Sequence, residues 1–435
     1  MTVPPLPTLS AADLRKRLAT GALTAFDLAC ACIERIEMRE PEIRAWAWFD
    51  PTYVLREAER LDTLRASGAP LGPLHGLPVG LKDIIDTAGI PTENGCPVDA
   101  GRVPEEDAAI VRRLREAGAL IFGKTVTTEL AFLHPNKTRN PRNPGHTPGG
   151  SSSGSAAAVA DGMIPLAVGT QTGGSVIRPA SFCGITGFKP SFGAIPRAGV
   201  CMQSHSLDTL GVFARDPEGA QLLAAVLMGG KGAETGGEAQ HDARPRLAHI
   251  RLPGQERADQ ALTDAMDAFR EALGPVVTDA DLPSVFDEAA THRARINAAE
   301  MAHYYRRYIE TGADRLGPKT RDAIREGMAL PATEYIAALK VQAALTPALE
   351  PLFAEYDALL CPAALGPAPA GLGSTGDSIF NGLWTMAGTP AITLPLLATP
   401  NGLPMGVQLV GRAGEDARLL ATARWVWRKM GATPR

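Results

Sequence analysis

Apolar residues recur at helical spacing through the first 40 positions, then gather into short runs separated by longer helical patterns. Ser10-Ala-Ala-Asp13 and Thr24-Ala-Phe-Asp27 have the form of helix starts, and Gly21 stands where the first helix should stop. The short apolar runs predict strands over 78–81, 119–122, 164–168, 246–250, 358–360, 391–396 and 405–410. Ala- and Arg-rich helical patterns lie between several of them, so the expected fold is α/β with a partly parallel sheet. The last two runs flank Thr399-Pro-Asn-Gly402, a hairpin signal, which makes the expected sheet mixed.

Three stretches depart from this alternation. Residues 229–245 are polar and Gly-rich and read as a linker, and 362–376 is a second loop rich in Ala, Gly and Pro. Between them, 258–346 is strongly helical with few strand signals. Length alone, at 435 residues, would suggest two or three domains.

Composition narrows the function classes. A net charge of −4 gives no basic field for nucleic acid and no polybasic face for a membrane. No apolar run approaches the roughly 18 to 20 residues that span a bilayer, and the N-terminus lacks the basic and apolar regions of a signal peptide. The six cysteines are scattered, with no CxxC pair, and read as reduced thiols of a cytoplasmic protein rather than metal ligands. No metal or cofactor is expected.

Three motifs adjoin predicted strands. Lys82 ends the apolar run of Gly80-Leu-Lys-Asp83; Pro148–Ala160 reads PGGSSSGSAAAVA; and Gly169–Pro179 reads GTQTGGSVIRP directly after the strand 164–168. The serine-rich stretch is no phosphate cradle, because a P-loop needs GxxxxGK[ST] and here alanines follow. No dinucleotide fingerprint is present either. A linker would not run on into an apolar, helix-forming AAAVA segment, which leaves a packed turn whose serines must be hydrogen-bonded. In the third motif, two glycines before Ser175 let the backbone approach a ligand, and the N–H groups of Thr172, Gly173, Gly174 and Ser175 suit a developing oxyanion. A strand-to-helix turn with an N-cap serine is the plainer reading of the same residues.

LHGLPVGLKDIIDTAG (74–89), GKTVTTEL (123–130), PGGSSSGSAAAVA and GTQTGGSVIRPASFCGITGFKP (169–190) together resemble the amidase signature family. GTPAITLP (388–395) and GLPMGVQLVG (402–411) resemble its closing strands, so the likeness spans nearly the whole chain except 258–346. It implies one α/β/α domain over 1–435 built around a large mixed, twisted sheet, with core motifs at 74–216 and 355–435. It also implies a Ser–Ser–Lys triad that hydrolyses amide bonds through an acyl-enzyme. Carried over by motif, Ser175 is the nucleophile, Ser151 the bridging serine 24 residues upstream, and Lys82 the base. The family holds its bridging serine through a cis peptide, which implies a cis Gly150–Ser151 bond. Ser152, Ser153 and Ser155 become supports that cap 156–160 or orient Ser151, with Ser155 the one placed near Lys82.

The residue types suit that chemistry. Serine needs a base to become a nucleophile, and neutral lysine can take its proton through a second hydroxyl and later return it to the departing amine. An unperturbed lysine is neutral only ~0.04% of the time at pH 7, so burial among Val79, Leu81, Ile84 and Ile85 must depress its pKa, or activity must rise with pH. Three positions depart from the family: Gln171 stands for the common Asp, Ile177 for the common Arg with Arg178 one place later, and Ser153 for Gly. They put the supports around Ser175 and the substrate class in doubt. His75, His134, His146 and His205 have no required role, and Cys183 has no His or Asn pattern beside it.

The leading expectation is therefore a free-standing monomer or homodimer acting on a small or aryl-bearing amide, anilide or carbamate, with room for esterase or urethanase side activity. The segment 258–346 and the loop 195–210 would shape the pocket, and Phe380, Trp384 and Met386 would form either an apolar substrate wall or plain core. Two alternatives stay open: a glutaminase-type subunit of a tRNA-dependent amidotransferase, and an inactive member acting as a binding protein.

Overall fold

The computed structural model describes residues 9–230 and 244–433. Thirteen positions of the expected linker, 231–243, and the first eight residues lie outside the described ones. Among the described residues eleven strands form one sheet: β1 (Trp46–Trp48), β2 (Pro78–Lys82), β3 (Leu120–Thr125), β4 (Leu166–Gln171), β5 (Thr186–Lys189), β6 (Thr209–Ala214), β7 (Leu247–Ile250), β8 (Val277–Ala280), β9 (Ala358–Pro362), β10 (Ala391–Ala398) and β11 (Pro404–Val410). Their order across the sheet is β1-β3-β2-β4-β6-β5-β10-β11-β9-β7-β8. Parallel pairs (β2 with β3 and β4, β7 with β8 and β9) sit towards the two ends, and the centre is antiparallel. One sheet runs from residue 46 to residue 410, so the chain forms a single α/β domain flanked by helices, and the two or three domains suggested by length do not exist.

The expected helix starts are present. Ser10 and Thr24 accept from the N–H groups of Asp13 and Asp27, and Gly21, with φ 74°, ends the first helix. The β10–β11 hairpin turns at 399–402. Four strands carry no clear sequence signal. β5 and β6 are buried throughout and contain glycine, so neither shows the alternation of a half-buried strand. β1 has three residues, and β8 is an edge strand with one strongly apolar position. β8 also interrupts the segment 258–346, which its sequence pattern predicts as helical.

Two close approaches bind the helix Ser153–Ala160 to the sheet. All eight of its residues are buried, and a Cβ on Gly154 would stand 2.2 Å from Ala45 O and 2.3 Å from Val126 N. A Cβ on Gly169 of β4 would stand 2.5 Å from Ser152 Oγ. The small residues of PGGSSSGSAAAVA thus let a helix lie almost on the backbone of its neighbours. Phe380, Trp384 and Met386 are at most 1% exposed and pack with Phe286 and Ile177 in a second apolar cluster. They are core, not a substrate wall.

Candidate active site

β2 and β4 run parallel, and their C-terminal ends bring Lys82 beside Thr170 and Gln171. In α/β sheets this end of the strands is where ligands gather. Lys82 is completely buried, and its ammonium donates to Ser151 Oγ at 2.7 Å and to Thr170 Oγ1 at 2.8 Å. Burial drives its pKa down from 10.5 to about 7, against the opposing pull of Asp208. The Gly150–Ser151 peptide is cis.

The other serines hold this turn in place without capping the helix: Ser152, its N-cap, makes no side-chain cap bond. Instead Ser152 Oγ accepts from Thr170 N and donates to Thr170 O, both at 3.2 Å, which fixes the strand position that faces Lys82. Ser155 shares a 2.7 Å hydrogen bond with Thr125 Oγ1 and donates to Val168 O. Thr125 pairs with Lys82 across β2 and β3, so Ser155 supports the lysine's neighbour and does not bond the lysine itself. Ser153 donates to Val126 O at 3.3 Å.

Ser175 stands between β4 and the short helix Ile177–Cys183 and lines a cavity of about 560 Å³. Among the described residues its hydroxyl makes no hydrogen bond, so Lys82 and Ser151 are joined while the Ser151–Ser175 link is open. The N–H groups of Thr172, Gly173, Gly174 and Ser175 likewise donate to no protein acceptor among the described residues. Gln171 replaces a charge with a two-sided contact. Its Oε1 accepts from Val176 N and Ile177 N at 2.9 and 3.0 Å, and its Nε2 donates to Thr385 Oγ1, which donates to Gly173 O. A carboxylate could make the first pair of bonds and not the third. Arg178 joins the two halves: its Nη2 donates to Gly150 O at 2.6 Å and to Thr375 Oγ1 at 3.3 Å. Burial lowers its pKa to about 10.

Sequence reasoning missed Thr170, Asp208, Thr375, Asn381 and Thr385. Thr170 was legible in principle: had β4 been carried three residues past Val168, strand alternation would have put it on the face opposite Gln171. Asp208 holds the preceding loop, with Oδ1 accepting from Thr172 Oγ1 at 2.6 Å and Oδ2 from Gln203 N and Ser204 N. The remaining three sit in the loop and helix at 370–386, about 200 residues from Ser175, where no local pattern links them; Asn381 belongs to the site because its Oδ1 lies against Gly174, 2.4 Å from where a Cβ would stand. Cys183, its thiol pushed up to about 12 by burial, donates to Pro148 O. Among the described residues no histidine bonds Lys82, Ser151 or Ser175, and no three His, Cys, Asp or Glu side chains gather where they could hold a metal ion.

The sheet and the serine–lysine turn have a known setting: residues 27–420 match the family model for Amidase, and the chain belongs to that family of carbon–nitrogen hydrolases. It is 34% identical to a glutamyl-tRNA(Gln) amidotransferase subunit from Symbiobacterium thermophilum, over 97% of this chain and 96% of that one. The corresponding subunit from Chloroflexus aurantiacus is 33% identical over 93% of each. Among solved structures, a protein of a vestigial complex tied to the origins of an s-triazine catabolic enzyme superposes with TM-score 0.89 at 27% identity, covering 98% of this chain and all of that one. A crystal structure of an amidase gives 0.87 at 30% identity, over 97% and 100%. The native peptide amidase of Stenotrophomonas maltophilia gives 0.82 at 26%, over 99% of each.

Proposed function

We propose that the protein is a serine amidohydrolase that cleaves carbon–nitrogen bonds of small amides through Ser175, Ser151 and Lys82. The observation that carries this reading is the buried Lys82–Ser151 contact, tied through Gly150 O to Arg178, which lines the same cavity as Ser175. Lys82, half neutral near pH 7, takes the Ser151 proton while Ser151 takes that of Ser175. Ser175 Oγ attacks the carbonyl carbon, and the charge developing on oxygen meets the N–H groups of Thr172 to Ser175. The C–N bond breaks, the amine leaves with the relayed proton, and water then hydrolyses the acyl-Ser175 ester. The open Ser151–Ser175 link closes when substrate turns the Ser175 side chain, since catalytic hydrogen bonds tighten in the substrate complex.

The residues 258–346 and 195–210 would give the cavity its shape through Arg293, Asn297, Met301 and Gln203. The cavity's size suits a small or single-ring amide, anilide or carbamate, and ester or urethane cleavage would use the same steps. We expect a cytoplasmic monomer or homodimer; among the described residues no helix is long and apolar enough to cross a membrane. The full-length similarity to the amidotransferase relatives favours a second reading, a glutaminase-type subunit working with partners.

The test is a screen of the purified chain against anilides, primary amides, ureas, carbamates and glutamine. Hydrolysis without a partner, abolished in Ser175→Ala, supports the free-standing enzyme. Glutaminase activity confined to a copurifying complex supports the second reading. Turnover unchanged in Ser175→Ala refutes the assignment.

A further inference from the structure

Two guanidinium groups face the cavity beside Ser175. Arg178 is engaged through Gly150 O and Thr375. Arg293, on the helix Ala289–Tyr304, is different: among the described residues it makes no hydrogen bond and no ion pair. Two glycines locate its head. A Cβ on Gly382 would stand 2.4 Å from Arg293 Nε, and one on Gly173 would stand 3.1 Å from its Nη1. The fork therefore reaches across Gly382 to the backbone two residues before Ser175, where any larger side chain would displace it.

The charges around it do not cancel. Asp377 acts on both arginines, but its carboxylate is engaged by Arg257 Nη2 at 2.7 Å and by Ile379 N at 3.0 Å. Glu326 lines the same cavity and is exposed to water. Arg293 is half-buried, and a cation that gives up part of its hydration without gaining a partner is unfavourable; it makes no bond to the backbone it approaches, where Gly173 O accepts from Thr385. Guanidinium presents a rigid planar set of donors that matches a carboxylate.

We propose that Arg293 is a carboxylate anchor and that the substrates are short amides bearing a second, anionic carboxylate group. The inference rests on the amidase reading of Ser175. Arg293 holds the carboxylate, the aliphatic chain lies against Ala294, Ala298, Met301 and Phe132, and the amide carbon is delivered to Ser175.

The test uses two substrate pairs differing only in carboxylate against methyl. Glutaramate and valeramide place the charge on the acyl side; N-acetyl-β-alanine and N-propylacetamide place it on the leaving group. The wild type should prefer the carboxylate in at least one pair by about 10- to 100-fold in kcat/KM, as expected for a charge-assisted contact. Arg293→Met should bring that ratio close to one, with Arg293→Lys between, and the responding pair identifies the side. Glutarate binding by calorimetry should weaken by the same factor, with thermal melting showing both variants folded. The proposal is overturned if the wild type shows no preference in either pair, if Arg293→Met keeps the wild-type ratio or lowers both members equally, or if glutarate binds wild type and variant alike. Arg293-dependent glutarate binding with no turnover of any amide would retain the anion site and refute the hydrolase reading.

Discussion

Replacing Thr170 with valine separates the proposed base from its setting. The change removes one of two hydroxyls that accept from the Lys82 ammonium, at 2.8 Å, and keeps the β-branched shape of the strand residue. A hydrogen bond to a charged group contributes about 1.5–3 kcal/mol. Part of it survives with the neutral amine, which leaves a differential near 1.4 kcal/mol, or about one pKa unit. Because the lost acceptor favours the protonated form, the Lys82 pKa must fall. In the wild type it stands at about 7, so kcat/KM should rise with pH through that value as the ammonium loses its proton, then level off. In Thr170→Val the rising limb should move about one unit towards acid, and in Lys82→Met it should vanish with a loss of about 10²- to 10⁴-fold. The assay is kcat/KM from about pH 5 to 10.5 on one amide in buffers of constant ionic strength. A limb that stays in place or moves to higher pH in Thr170→Val refutes the argument, as does a wild-type limb near pH 10.

Three further outcomes follow from the same contacts. Arg178→Lys should lower kcat tenfold or more and destabilise the fold by about 1.5–3 kcal/mol, since Gly150 O loses its guanidinium, while the pH limb stays in place; an unchanged kcat would show that Arg178 does not position the serine turn. Gly154→Ala should lower the stability measured by urea unfolding by about 1–3 kcal/mol or more, because its Cβ would meet Ala45 O at 2.2 Å; a wild-type midpoint would count against the close packing. Melting temperature should rise from pH 7 to 8.5: Lys82, Lys124 and Lys189 have folded pKa values of about 7, 8 and 7 against 10.5 unfolded, so in this window the unfolded chain binds more protons and stability grows with pH. Buried thiols such as Cys183 and Cys201, both pushed up to about 12, begin to oppose the trend as pH approaches the unfolded thiol range of about 8.5 to 9, and a fall in melting temperature below pH 8 would contradict the lysine burial.

What could be read from the sequence divides along a physical line. The helix starts at Ser10 and Thr24 and the seven apolar strand runs were legible because each is a local pattern whose cause lies within a few residues. β5 and β6 were not, because strands buried on both faces carry no alternation and their glycines serve neighbours distant in the chain: Gly211 leaves room for Phe188 O and Val176. The same division runs through the site. Lys82, Ser151 and Ser175 were recognisable as motifs, but a motif does not report partners. The sheet order makes β4 the neighbour of β2, and that adjacency supplies Thr170 as the second acceptor of Lys82. Gln171 shows how a departure read in isolation misleads: the neutral amide looked like a lost charge, yet it holds two N–H groups after Ser175 and bonds Thr385. Arg293 lies 118 positions from Ser175 on a helix whose sequence is otherwise unremarkable. Only the fold sets its guanidinium against Gly173, so the feature that would select among amides belongs to tertiary placement, where sequence pattern carries no information.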